Sequence, residues 1–152
     1  MTKGYKATYN YQCRNQTYEV GQEYKLDCTP VICKSGFHYC LDARNTLFYY
    51  THTYEFKLLE IEDLSSDTVT DYDKSCSNHI KIIREITDKE ELIQLLGFVR
   101  TFNEVGNQLT YKNSSGFWRE STYNENGKEL THKNSDGYWR ECTYDENGHE
   151  LT

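Results

Sequence analysis

The sequence predicts an α+β protein: a small mixed N-terminal domain with short helices over residues 1–97, then an antiparallel β-meander of hairpin repeats over residues 98–152. Three observations lead there. Residues 114–131, SSGFWRESTYNENGKELT, recur almost unchanged at 135–152 as SDGYWRECTYDENGHELT. The earlier part alternates short period-two runs with two segments of helical spacing. Aromatics reach 14% of the 152 residues while hydrophobics as a whole reach only 36%, which suits thin sheets faced with tyrosine rings better than a thick aliphatic core.

Taken in order, residues 3–86 read mostly as short strands. Tyr54, Phe56 and Leu58 alternate with Glu55 and Lys57, the pattern of a half-buried strand. Ile80, Ile82 and Ile86 share a face in HIKIIREI. Between the early strands, DARNTLFYY reads as a helix, with Asp42 as its N-cap and Ala43, Leu47 and Tyr50 at helical spacing. A second helix opens on Thr87-Asp88-Lys89-Glu90, a capping box, carries Leu92, Ile93, Leu95 and Leu96, and stops at Gly97.

The repeat has a period of 21 residues, aligning Leu109 with Leu130 and Leu151, Trp118 with Trp139, Arg119 with Arg140, Tyr123 with Tyr144 and Gly127 with Gly148. Each unit contains two turns that end in glycine, as hairpin loops needing a positive φ require. About five short strands follow from that spacing. In the first long strand Phe117, Arg119, Ser121 and Tyr123 fall on one side and Trp118, Glu120 and Thr122 on the other, so neither face is apolar throughout.

The formal charge is −7, and residues 54–92 hold eleven acidic against five basic side chains. Such a balance repels a phosphate backbone and argues against direct nucleic-acid binding. The N-terminus, MTKGYKATYNYQC, lacks the apolar core of a secretory signal and no run is long enough to span a membrane, so the chain is read as cytoplasmic with its six cysteines as free thiols.

Three groups of residues carry candidate chemistry. Cys28, Cys33, His38 and Cys40 offer four zinc donors, without the paired C-x2-C knuckles of a strong zinc motif, and burial as core thiols is the simpler reading. Glu60, Glu62, Asp63, Asp67, Asp71 and Asp73 form an acidic stretch with no intervening base, suited either to a solvated loop or to a phosphate-mimicking patch in a basic groove. Trp118-Arg119 and Trp139-Arg140 repeat the residue types that dominate interfaces, although cross-strand packing explains them equally. Leu151-Thr152 begins a third repeat, leaving an edge strand through which a homodimer could form.

The N-terminal part also resembles an uncharacterised domain of bacteriophage and prophage proteins. The residues that carry the likeness are Lys3, Gly4, Tyr5, Cys13, Arg14, Tyr18, Gly21, Gly36, Phe37, His38 and Cys40, and the C-terminal part is similar to Tyr-Asp-x-Asn-Gly hairpin repeats appended to such proteins. Asn15 stands where a glycine commonly follows the arginine. The resemblance implies a small acidic protein of the infected bacterial cytoplasm, similar to anti-CRISPR inhibitors. It would bind a basic effector protein or complex through its acidic and aromatic surface and block it sterically or by nucleic-acid mimicry. A different layout is similar to ADP-ribosyltransferase-like domains and implies that Arg14, His38, Tyr50 and Glu60 serve NAD. The third reading is a structural accessory protein that oligomerises through its repeats. Apart from zinc, the sequence points to no bound cofactor in the leading reading.

Overall fold

The computed structural model describes residues 1–151. Strands account for 47% of the chain and helices for 9%, in antiparallel sheets with a half-barrel, so the protein is mostly β and not the α+β fold expected from its sequence. The chain forms two compact units, Met1–Glu91 and Leu92–Thr152. No helix among the described residues is long and apolar enough to cross a membrane.

The first unit contains β1 (Thr2–Tyr9), β2 (Gln12–Cys13), β3 (Gln16–Thr17), β4 (Glu23–Lys25), β5 (Phe37–Tyr39), β6 (Phe56–Asp63), β7 (Val69–Asp71), β8 (Lys74–Ser77) and β9 (His79–Glu85). Six of them make one antiparallel sheet in the order β3-β2-β1-β6-β9-β4, and the others a smaller sheet, β5-β8-β7. Phe37 and Tyr39 of the smaller sheet meet Leu59, Ile61, Ile80 and Ile82 of the larger one, joined by Tyr18, and this cluster is the core. Burying each aliphatic chain there contributes about 1.5–3 kcal/mol. The sheets approach so closely at Gly4 that a β-carbon would lie 2.3 Å from the Tyr39 ring.

Both expected helices differ from their sequence reading, and the differences explain the change of fold class. Residues Ala43–Phe48 form a 3-10 helix rather than an α-helix, capped by the Asp42 carboxylate on the Arg44 amide at 2.9 Å. Its buried residues, Ala43 and Thr46, are three apart, the period of the tighter helix. Asn45 and Thr46 are weak helix formers and six residues are too few to nucleate an α-helix unaided. The one α-helix among the described residues, α1 (Lys89–Leu96), is eight residues long. Its first turn is held by the Asp88 carboxylate on the Glu91 amide at 3.0 Å, one residue later than the Thr87 box. Neither segment is large enough to cover a sheet. β6 begins at Phe56, and from there the alternation read over residues 54–58 holds, with Phe56 and Leu58 buried on either side of half-buried Lys57; beyond it Leu59 and Ile61 are buried too, so the other face of the strand is also covered.

The second unit contains β10 (Phe98–Phe102), β11 (Gln108–Asn113), β12 (Trp118–Tyr123), β13 (Glu129–Asn134) and β14 (Trp139–Glu141), a five-stranded antiparallel meander in sequence order. Its hairpins close on one device. Asn103, Asn113, Asn124, Asn134 and Asp145 each accept, through Oδ1, from the amides two and four residues ahead. The glycine three residues on takes a positive φ, +77° at Gly127, where a side chain would be strained. Period-21 partners make the same contacts: Thr101 with Thr110 and Thr122 with Thr131, and the hydroxyls of Tyr123 and Tyr144 donate to the carbonyls of Gln108 and Glu129.

Asp63, at the end of β6, ties the two sheets of the first unit together. It is 6% exposed and its carboxylate accepts from Ser77 (2.6 Å), Thr68 (2.5 Å), Tyr39 (2.8 Å) and the Ser65 amide (2.9 Å). Burial alone would raise its pKa, but the hydrogen bonds from Ser77, Thr68, Ser65 and Tyr39 outweigh it and hold the carboxyl below the ordinary aspartate value. Its stabilisation is therefore fully present above the unfolded value near pH ~4 and lost as pH falls through the lower folded value. Asp63→Ala leaves buried hydroxyls without an acceptor and costs on the order of 3 kcal/mol at neutral pH. Chemical denaturation across pH checks this; a variant as stable as the wild type at neutral pH, with the same acid limb, would refute the role of Asp63.

Candidate functional site

The first unit forms a half-open cavity of about 220 Å³ assembled from six separated stretches of chain. β1 supplies Lys6, the β2–β3 hairpin Cys13 and Arg14, the loop before β5 Cys33, β5 and its end His38 and Cys40, and the 3-10 segment with the start of β8 Tyr49, Tyr50 and Lys74. Two of these residues, Arg14 at φ +54° and Cys33 at φ +64°, hold left-handed backbone without being glycine. Such conformations cost of order 1 kcal/mol or more and persist only where the surroundings impose them.

Lys6 forms the floor. The strand alternation turns it inward, in register with Leu59 of β6, and it is 3% exposed. Its Nζ donates to the His38 carbonyl at 2.6 Å, lies 3.7 Å from the Cys13 sulfur, and sits 5.2 Å from the centre of the Tyr18 ring. Desolvation lowers its pKa, Cys13 pulls it partly back, and Arg14 lowers it further. Cys13 also accepts from the Tyr50 hydroxyl at 2.8 Å. That hydroxyl is held above its ordinary pKa by burial and by this bond.

At the rim, Lys74 Nζ donates to the Cys33 sulfur at 2.8 Å and lies over the Tyr49 ring, whose hydroxyl donates to Asp73. Lys74 is held above its ordinary pKa, first by that bond to Cys33. His38 is lowered to about 4 by burial and then by Arg14, Lys6 and Lys74, so it is neutral at physiological pH. Its Nε2 accepts from the Cys33 amide at 2.8 Å, and the ring serves to fasten the loop before β5. Burial pushes the Cys40 thiol up to about 11. Among the described residues, no aspartate or glutamate lines the cavity, whereas Lys6, Arg14 and Lys74 do. The arrangement is a small, half-open cationic pocket in a chain of net charge −7.

The structure brings together Arg14, His38 and Tyr50 of the ADP-ribosyltransferase-like set but not Glu60. Glu60 is in register with Tyr5, on the opposite face of the sheet from Lys6 and Leu59, and its carboxylate accepts from Arg84 at 2.8 Å. Of the four zinc candidates, Cys33, His38 and Cys40 line the cavity while Cys28 borders a separate depression near Asp67 and Asn78. No three His, Cys, Asp or Glu side chains among the described residues converge as metal donors. All six cysteines are free thiols.

The acidic stretch is divided by the fold. Asp63 is buried, Glu60 is paired with Arg84, and Glu62 stands in register between Lys3 and Lys81. Asp73 accepts from Tyr49, which leaves Asp67 and Asp71 as the exposed members. The two Trp-Arg pairs are divided as well. Trp118 and Trp139 are in register with Lys112 and Lys133, while Arg119 and Arg140 are in register with Tyr111 and His132 on the other face. Arg119 lies 4.9 Å over the Tyr111 ring and Arg140 bonds Glu150 at 2.7 Å. At the C-terminal edge, Glu150 bridges to Tyr144 and the Leu151 amide donates to Thr143, so residues up to 151 fold back on the chain; Thr152 lies outside the described residues.

Sequence reasoning passed over Lys6, Lys74 and Tyr49. Only Lys6 carried a signal: in KGYKATY it falls on the same period-two face as Gly4 and Thr8, an inward position for a charged residue.

Residues 2–94 match the model of a domain of unknown function, DUF7666, and the chain belongs to that family. The match takes in the cavity and leaves out the hairpin repeats. No curated protein matches the chain, and neither does any solved structure.

Proposed function

We propose that this DUF7666 domain is a binding module for a small organic or inorganic anion, held in the cavity between Lys6, Arg14 and Lys74. One observation carries the reading: three basic side chains face a concave site that no carboxylate among the described residues lines. Of the three only Lys6 is buried, while Arg14 is exposed and Lys74 half-buried at the rim; like charges gathered at one concave site repel one another and are relieved by a bound counter-charge. The cavity, about 220 Å³, is smaller than the roughly 300–1,000 Å³ of sites for drug-sized ligands. That size favours a phosphate or small carboxylic acid over a dinucleotide, which sets the NAD reading aside.

Isothermal titration with inorganic phosphate tests this. The expected result is saturable binding that weakens with added salt and falls roughly tenfold, about 1.4 kcal/mol, on Arg14→Ala or Lys74→Ala. Binding unchanged in both variants, or absent from the folded wild type, would overturn it.

The repeat unit supports a second reading, in which the protein is a phage-type inhibitor of a bacterial defence system. Trp139 is 64% exposed, and an exposed aromatic side chain of this kind anchors protein interfaces. The net charge of −7 would draw a basic effector. With Asp63, Glu60 and Asp73 engaged internally, mimicry would rest on the exposed Asp67 and Asp71. This reading expects a stoichiometric complex with a basic host protein that weakens at least tenfold on Trp139→Ala. Sedimentation of the purified pair decides it, and a complex indifferent to Trp139 would count against this surface.

A further inference from the structure

The floor of the cavity holds a group that anion binding alone does not use. Lys6 is buried to 3% exposure, yet it is one of the residues that line the cavity, and the neighbours of its amine are a carbonyl, a thiol and an aromatic face. None of these is a carboxylate that would hold it as an ammonium ion. A lysine desolvated in this way keeps its lone pair at lower pH than a surface lysine and becomes a nucleophile toward carbonyl carbon. Arg14 and Lys74 stand at the same cavity as cations suited to an acid group.

We propose that Lys6 captures a small 2-oxo acid as a Schiff base, with Arg14 and Lys74 holding the carboxylate of that acid. The step is a condensation without any redox partner. The neutral amine nitrogen bonds to the keto carbon, the carbon–oxygen double bond breaks, and the oxygen leaves as water with both amine protons. Lysine and keto acid thus become a neutral imine and one water, and the imine nitrogen then takes one proton from solvent. Burial and the charge of Arg14 both lower the pKa of Lys6, and this supports the amine as the attacking form. A cavity of about 220 Å³ accommodates a 2-oxo acid of a few carbons.

The proposal rests on the cavity being an anion site, and the test separates the two. The intact protein is incubated with pyruvate and sodium cyanoborohydride, which reduces an imine to a stable secondary amine, and the modified residue is found by peptide mass mapping. The expected result is one dominant adduct on Lys6, at least tenfold above that on exposed Lys128 or Lys133. Excess inorganic phosphate should suppress it by tenfold or more in the unaltered protein, and Lys6→Arg should abolish it. Labelling of Lys6 no greater than that of surface lysines, in protein that still binds phosphate, would overturn the Schiff-base inference alone. A folded protein that binds no phosphate would overturn the anion-site reading beneath it.

Discussion

A lysine amino group taken out of water without a carboxylate beside it is the constraint around which the first unit is organised. Removing its charged form from solvent costs several kcal/mol, and a structure tolerates the buried group only with compensating dipoles, a counter-charge or loss of the proton. Around Lys6 the chain supplies the His38 carbonyl, the Tyr18 ring and the Cys13 sulfur. Each arrives from a different stretch, so burial of one side chain draws β1, the β2–β3 hairpin and β5 together. The left-handed residues Arg14 and Cys33 lie on the rim of the same enclosure, where strain is maintained by the contacts on either side.

Asp63 is the opposite solution to the same problem. It too is buried, but three hydroxyls and an amide converge on it, and its charge is fully satisfied within the protein. The unit therefore buries one anion that is complete in itself and one basic group that is not. That asymmetry separates a structural centre from a candidate site: a satisfied carboxylate has no use for a ligand, whereas a cationic cavity gains from one.

The two halves of the chain differ in how much of this could be read in advance. The hairpins of residues 98–151 were legible because each turn is local: glycine and the strand spacing lie within a few residues of one another. The side-chain caps from Asn103 to Asp145 were overlooked, although they recur at every turn. The helices were overstated. ARNTLF has aromatic and leucine spacing that fits an α-helix, but weak formers and a capping aspartate make it a single tight 3-10 segment. Acidic composition suggested a surface patch in residues 60–73, and composition cannot reveal that Asp63 points inward or that Arg84 reaches Glu60. The cavity was the least legible feature, since Lys6, Arg14, Cys33, Tyr50 and Lys74 are brought together only by sheet pairing across most of the unit. Even so, five residues that carry the family likeness, Tyr5, Cys13, Arg14, His38 and Cys40, all line it.

The central claim is that the basic residues of this cavity form an anion site. The most direct measurement is a map of backbone amide NMR shifts during titration with inorganic phosphate. The account predicts saturable shifts confined to residues around the cavity, at Cys13, Arg14, Cys33, His38 and Lys74, with the hairpin repeats unmoved. Shifts scattered over exposed lysines of both units, or centred on residues 98–151, would contradict it.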